Sequence, residues 1–309
     1  MADRFTFMGV TTGGSQIMRL FPVWAEVLGL DAQIVGLDLP IDGEPVVYRH
    51  AVEQLRDDPA TRGALVTTHK VSVHRHAGDL FARLDRWATL CGEISSISKR
   101  DGALIGHAKD PISSGSALQA IIGPTYWRDH PGAEVLCMGA GGSGAAITVH
   151  LLTQRQLPAR IVITNRRPGR LDAVRAMQQE LGAADIVEYH AVSSTSDTDA
   201  LAASLAPGSL VINATGAGKD RPGSPLSDGA VLPDGAIAWD FNYRGDLRFL
   251  EQARRQLPPA RVHDGWRYFV HGWTLVIAEV FAIQLTADRF AALQQAAEPF
   301  RPHGQGGQG

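Results

Sequence analysis

The chain has little cysteine, no excess of either charge and no long apolar run, and each absence removes a class of function. Only Cys91 and Cys137 occur in 309 residues. Both lie in apolar patterns without metal or redox spacing, so they read as reduced core thiols of a cytoplasmic protein. Lysine and arginine number 29 against 32 aspartates and glutamates, a formal net charge of −3. No basic field argues for nucleic acid or an anionic membrane surface. No stretch approaches the ~18 apolar residues of a membrane span. The opening segment MADRFTFMGV carries charge early and reads as a first strand, not a signal peptide. Of the eleven histidines, His74 and His76 fall on different sides of an expected helix. No Cys/His or carboxylate cluster has ligand spacing, so no metal is expected.

What is present is an ordinary globular composition, 44% hydrophobic and 20% charged, in a chain long enough for two domains. Its most informative stretch runs from Glu134 to Arg170. An apolar run, Val135 to Met138, reads as a buried parallel strand, and Gly139-Ala-Gly141-Gly142-Ser143-Gly144 follows as a turn into a helix. A second apolar run, Ile161 to Ile163, ends in Asn165-Arg166-Arg167. The arrangement is half of a dinucleotide-binding βαβ unit, in which glycines let backbone N–H groups approach a pyrophosphate at a helix N-terminus. An acid after the second strand would bind a ribose 2′-OH. Here Arg166, Arg167 and Arg170 stand instead, with no acid until Asp172. Guanidinium groups suit a 2′-phosphate, so the cofactor expected is NADP.

Taken in order, the first third alternates strand and helix patterns: strands at Phe5 to Val10, Gln33 to Leu37 and Ala64 to Thr68, helices at Ile17 to Leu28 and Tyr48 to Leu55. A helix begins near Lys70, and Gly92 to Lys99 and Ala103 to Ala108 flank Arg100-Asp101-Gly102 as a hairpin. The expectation is a small α/β domain whose mixed sheet is closed by that hairpin at its edge. Asp110-Pro111 reads as an N-cap followed by a helix start, the first hinge between domains. Later strands at Ile186 to Tyr189, Leu210 to Asn213 and Ala236 to Phe241 extend a Rossmann-like, doubly wound parallel sheet. The overall expectation is a two-domain α/β protein with a cleft between the domains. Residues 1–110, completed by 264–300, form the substrate domain and 111–263 the NADP domain. Residues 301–309 are too polar and glycine-rich to pack and read as a disordered tail.

Two residues carry the candidate chemistry. Lys70 follows the strand ending near Thr68, and Asp110 follows the hairpin strand, the ends at which α/β sheets place ligands. A lysine beside a carboxylate can hold an alcohol or carbonyl oxygen and pass its proton during hydride transfer. Taken separately, each reads more simply as structure, Lys70 as a surface helix start and Asp110 as a helix cap.

Over nearly its whole length the chain resembles the shikimate/quinate dehydrogenase family. Gly9 and Ser15 match the glycine and first serine of that family's opening loop, and Lys70 matches its Pro-x-Lys turn at the lysine. Gly106 and Asp110 match its Gly-x-Asn-Thr-Asp segment, and Gly139-Ala-Gly141-Gly142 its nucleotide motif. Asn165-Arg166-Arg167 matches the Asn-Arg-Thr element of NADP-using members, and Ile212-Asn213-Ala214-Thr215-Gly216 the Ile-Asn-Ala-Thr segment. Asp240-Phe-Asn-Tyr243 matches the Asp-x-x-Tyr element. The resemblance implies Lys70 and Asp110 as the catalytic dyad, and Gly139, Gly141, Gly142, Ser143, Asn165, Arg166, Arg167, Arg170, Thr215 and Gly216 around the cofactor. Ser15, Thr67, Ser95 and Tyr243 are the expected substrate contacts.

The departures bear on substrate. The family's second loop serine aligns with Ile17, the threonine of its lysine turn with Val66, two asparagines with Ser95 and Ala108, and a helical glutamine with Gly272. Most of the groups that would grip shikimate are absent, and a site built on particular hydroxyls discriminates through them. The expected reaction is therefore hydride transfer between NADP(H) and a small cyclic hydroxy or keto acid other than shikimate, by a monomer or homodimer. Thr11, Thr12, Thr68, His69, Lys109 and Arg19 are further candidates for the pocket, and Gly13-Gly14 offers backbone N–H groups to an anionic substrate. The same loop reads equally well as mobile glycines with solvated hydroxyls. The alternative function is an NADP(H)-binding sensor or interaction protein without catalysis.

Overall fold

Alternating apolar strands and amphipathic helices cannot bury their faces singly, and here they do so in two units. The computed structural model describes residues 2–182, 184–219 and 221–302. The stretch from 303 onward, most of the expected disordered tail, lies outside the described residues. One unit comprises Met1–Asp110 and Val270–Arg301, the other Pro111–Phe269.

In the first unit the elements run β1 (Asp3–Gly9), α1 (Gln16–Leu28), β2 (Ala32–Asp38), α2 (Pro45–Asp57), β3 (Thr61–Val66), α3 (Lys70–Ala77), β4 (Arg83–Leu84), α4 (Arg86–Cys91), β5 (Ser96–Arg100) and β6 (Ala103–His107). Their boundaries follow local chemistry. Gly29 stops α1 in the left-handed conformation, φ 67°, and donates to the Ala25 and Glu26 carbonyls. Asp85 caps α4 by accepting from the Ala88 N–H at 2.7 Å. Asp101 and Gly102, both at positive φ, make the tight turn between β5 and β6. The sheet order is β2-β1-β3-β5-β6-β4. β1 is parallel to β2 and β3, and β5 is antiparallel to β3 and β6. The hairpin is thus not the edge expected from the sequence: β4 pairs parallel with β6 outside it. A strand of two residues has no periodicity to read.

The second unit contains most of α5 (Asp110–Ile122), then α6 (Tyr126–Asp129), β7 (Val135–Met138), α7 (Gly142–Leu152), β8 (Ile161–Asn165), α8 (Pro168–Gln179), β9 (Val187–Ala191), α9 (Thr195–Ala203), β10 (Leu210–Asn213), β11 (Ile237–Asp240), α10 (Arg248–Arg254) and β12 (Val262–His263). All its strands are parallel, in the order β12-β11-β10-β7-β8-β9. Counted within the unit that is the doubly wound dinucleotide-fold order, with its switch point between β7 and β10. Val135 and Cys137 enter one core cluster while Leu136 and Met138 enter another. Both faces of β7 are covered, which is why its sequence is continuously apolar. The chain returns to the first unit within α11 (Trp266–Val280), at Val270 and not at 264, and ends in α12 (Ala287–Ala297). A boundary inside a continuous helix leaves no break in the pattern to read.

The first unit's core centres on α1, whose Ile17, Leu20, Phe21 and Trp24 are fully buried at helical spacing. Phe5 and Phe281 pack on Phe21, and the Trp24 indole donates to the Leu293 carbonyl at 2.8 Å, fixing α12 against α1. Trp24→Ala removes both the ring and this tie. It is expected to destabilise the first unit by about 3–5 kcal/mol, read as an earlier urea transition, whereas Trp24→Phe, which keeps most of the packing, loses less.

Candidate active site

Parallel strands deliver their C-terminal ends to one edge of a sheet, and in the first unit that edge assembles a charged pair. Beyond β3, Thr67-Thr68-His69 form a turn, not the strand end expected. The turn is tied down by the Thr67 N–H and hydroxyl, which donate to the Met8 carbonyl at 3.0 and 3.1 Å, and by His69, 2% exposed, whose Nε2 lies 3.3 Å from the Gly9 carbonyl. α3 then opens with Lys70 and, after β6, α5 opens with Asp110. Lys70 Nζ donates directly to Asp110 Oδ2, joining residues 40 apart in sequence. Their side chains are only 21% and 13% exposed, and charges so placed persist only in each other's company. Burial opposes the Lys70 charge most strongly, yet the carboxylates of Asp110 and Glu93 together hold its amine above the ordinary lysine range.

Glu93 is the residue that the sequence reading misses. It follows α4, is 4% exposed and has an Oε1 atom with no hydrogen-bond partner among the described residues. Burial pushes its carboxyl up to about 7, with Lys70 pulling it down and Asp110 pushing it up. Cys91 beside it is pushed up to about 12, by burial first and then by Glu93 and Asp110. The available signal was an acid inside the run Cys91-Gly-Glu-Ile-Ser-Ser-Ile, where an exposed loop would carry more polar neighbours.

Other expected substrate contacts are already committed. Ser95 is buried, and its hydroxyl accepts the Lys109 N–H at 2.8 Å, which ties the strand ends together. Lys109 spends its ammonium on Glu279 at 2.7 Å, and His107 lies between Asp85 and the same Glu279. Thr12 donates its N–H and hydroxyl to Asp38 at 2.8 and 2.6 Å. Ser15 precedes α1, half-buried, and its side chain caps nothing. Gly13 and Gly14 have open space where a side chain would stand. Arg19 lies over the Phe300 ring, and His271 stacks on Phe290. Tyr243, in the second unit, packs on Trp266 and Phe269. Among the described residues no group of His, Cys, Asp and Glu is placed to hold a metal ion, and no helix is long and apolar enough to cross a membrane.

The second unit's glycines are explained by close approach. Gly139, φ 113°, leaves β7 at the switch point, where an added Cβ would stand 2.7 Å from the Ala214 backbone. A Cβ on Gly144 would overlap the Gly139 carbonyl, whereas Gly141 looks onto open space. Gly141 precedes α7 without a side-chain cap, and Gly141 and Gly142 are exposed. An eleven-residue helix thus presents its positive end bare, with Ser143 on its first turn, a fit for the pyrophosphate of a dinucleotide. After β8, Arg166, Arg167 and Arg170 are exposed at the head of α8, and Asn165 Nδ2 donates to the Arg167 carbonyl at 3.1 Å. Beyond β10, the Thr215 hydroxyl donates to Asn213 Oδ1 at 2.6 Å and accepts the Ala217 N–H, shaping a turn that passes through Gly216 at φ 74°. Asn213 also donates to Asp240, fully buried, whose carboxyl burial pushes up to about 7 against the hydrogen bonds it accepts.

No family model matches the chain. A shikimate dehydrogenase (NADP(+)) of Methanothrix thermoacetophila is 32% identical over 188 residues, 60% of this chain and 61% of that protein. One of Lactococcus lactis subsp. cremoris is 28% identical over 172 residues, 55% of this chain, so the chain spans about six tenths of the length of both, 61% and 57%. Among solved structures, a 5-ketofructose reductase of Gluconobacter superposes with a TM-score of 0.72 at 21% identity, covering 96% of this chain and 98% of that one. A shikimate 5-dehydrogenase of Listeria monocytogenes, in complex with shikimate and NAD, does so at 0.72 and 19%, covering 94% and 96%. The sequence relatives and the two-unit fold agree: over part of its length the chain is similar to shikimate dehydrogenases, and it shares the fold of solved shikimate dehydrogenase-like structures.

Proposed function

We propose that this chain is an NADP-dependent oxidoreductase that moves hydride between NADP(H) and a small cyclic hydroxy or keto acid other than shikimate. The observation that carries the reading is the buried Lys70–Asp110 pair at the head of two helices. NADP(H), when bound, supplies or accepts the hydride. The bare start of α7, with Gly139, Gly141, Gly142 and Ser143, would hold its pyrophosphate, and Asn165, Arg166, Arg167 and Arg170 its 2′-phosphate. Thr215 and Gly216 would border the nicotinamide.

In the reductive direction a carbonyl oxygen gains negative charge and needs a proton. Lys70, held above its ordinary range despite burial, carries that proton at neutral pH and donates it from Nζ. Asp110 keeps the ammonium charged and aimed. In the oxidative direction the same amine, once deprotonated, takes the hydroxyl proton. The ring-binding side chains that the family uses for shikimate are replaced here by Ile17, Val66, Ala108 and Gly272, and Ser95 is turned to the Lys109 backbone. That pattern supports a different ring. The same fold is carried by a 5-ketofructose reductase, so the fold alone does not bind the chain to shikimate.

A fluorescence titration with NADPH and NADH, followed by a turnover screen over cyclic polyols, keto compounds and hydroxy acids including shikimate and quinate, tests the proposal. Lys70→Ala should lower kcat/KM on the best substrate by about 10²–10⁴ and leave NADPH binding unchanged. Equal activity in the variant overturns the assignment of Lys70. Replacing Arg166 and Arg167 together by Ser should weaken NADPH by roughly 10- to 100-fold, the worth of a charge-assisted contact, with NADH little affected. A chain that binds neither nucleotide sinks the proposal as a whole.

A further inference from the structure

The proposed chemistry uses Lys70 and Asp110 but leaves Glu93 without a role, although burying an acid is costly unless something offsets it. Glu93 is almost completely buried and its Oε1 atom has no hydrogen-bond partner among the described residues. The backbone brings it to the charged pair, since the N–H of its neighbour Ile94 donates to the Lys70 carbonyl at 3.0 Å. The groups around it are Lys70 at the head of α3, Asp110 at the head of α5 and Cys91 at the end of α4. One step further lies Asp85 at the head of α4, beside His107. Among the described residues the cluster thus sets one cation near two carboxyls, Asp110 bonded to it and Glu93 acting on it by charge.

Resting on the oxidoreductase reading, we propose that Glu93 is a positioning residue that acts through Lys70: a second buried carboxyl whose ionisation sets how tightly the catalytic amine holds its proton. With Glu93 ionised, two negative charges share the ammonium, and Lys70 keeps its proton. With Glu93 protonated, the cluster is left with a neutral ion pair, and Lys70 releases its proton more readily. The carboxyl, raised by burial and by Asp110 to about 7, changes state in the range where the enzyme would work. Glu93 is not among the residues that carry the resemblance.

The test reads the amine directly and needs no substrate. Trace acetylation of the full-length protein at a series of pH values, with Lys70 followed by peptide mass spectrometry, gives the fraction of neutral amine. Glu93→Gln removes the charge and keeps the shape. Its Lys70 profile should move to lower pH by about one unit, roughly tenfold more neutral amine at a given pH. Glu93→Met, which matches the volume without charge, should move it the same way, and Glu93→Asp should stay with the wild type. Circular dichroism confirms that each variant is folded. Asp110→Asn serves as the control for a lost carboxylate. If Asp110→Asn shifts the profile and both neutral Glu93 variants superimpose on the wild type, the proposal is overturned. Where turnover is found, the alkaline limb of reductive kcat should move with the labelling profile while the KM for NADPH stays fixed. Labelling proceeds whether or not any substrate turns over, so failure of the oxidoreductase reading and failure of the Glu93 proposal give different results.

Discussion

A cation and an anion withdrawn from water must be placed together or not at all, and the first unit is arranged around one such placement. Lys70 and Asp110 sit at the starts of α3 and α5, after β3 and β6. Neither helix start is free to move, because the turn before Lys70 is tied to the ends of β1 and the turn before Asp110 is tied through Ser95. The uncommitted side chains of the sequence reading thus become a frame. Thr67, His69 and Ser95 hold backbone so that two charged groups meet, and rigid support of this sort is what proton transfer at a fixed distance requires.

The second unit obeys a different constraint, the closeness of backbones. Gly139 and Gly144 are required because carbonyl and peptide atoms occupy the space where side chains would be, while Gly141 is open on its outer side. The same motif therefore contains glycines of two kinds, those that let the chain pack on itself and one that leaves room for something else. A pattern of letters cannot separate them.

Legibility in the sequence followed the range of the interaction. The tight turn at Asp101-Gly102, the strand–glycine–helix passage from Val135 into α7 and the basic cluster at Arg166-Arg167 are set by neighbours in the chain, and they could be read in advance. Lys70 and Asp110 were each ambiguous alone, and the resemblance paired them. What escaped was tertiary. The bond from the Lys109 ammonium to Glu279, 170 residues away, leaves no trace in the local pattern. The hydrogen bond that the Ser95 hydroxyl accepts from the backbone of Lys109 could not be read from the chain. β4 is too short to have a period, and Glu93 gives no sign of its surroundings beyond its apolar neighbours.

The bond from the Trp24 indole to Leu293 spans 269 residues, and this has a consequence during synthesis. At about 5–20 residues per second, the partner of that indole leaves the ribosome roughly 13–54 s after it. The contiguous stretch of the second unit is complete before then, while the buried face of α1, with Phe21 and Trp24, still lacks Phe281 and α12. Until those partners emerge, the nascent chain carries the aromatic face of α1 uncovered.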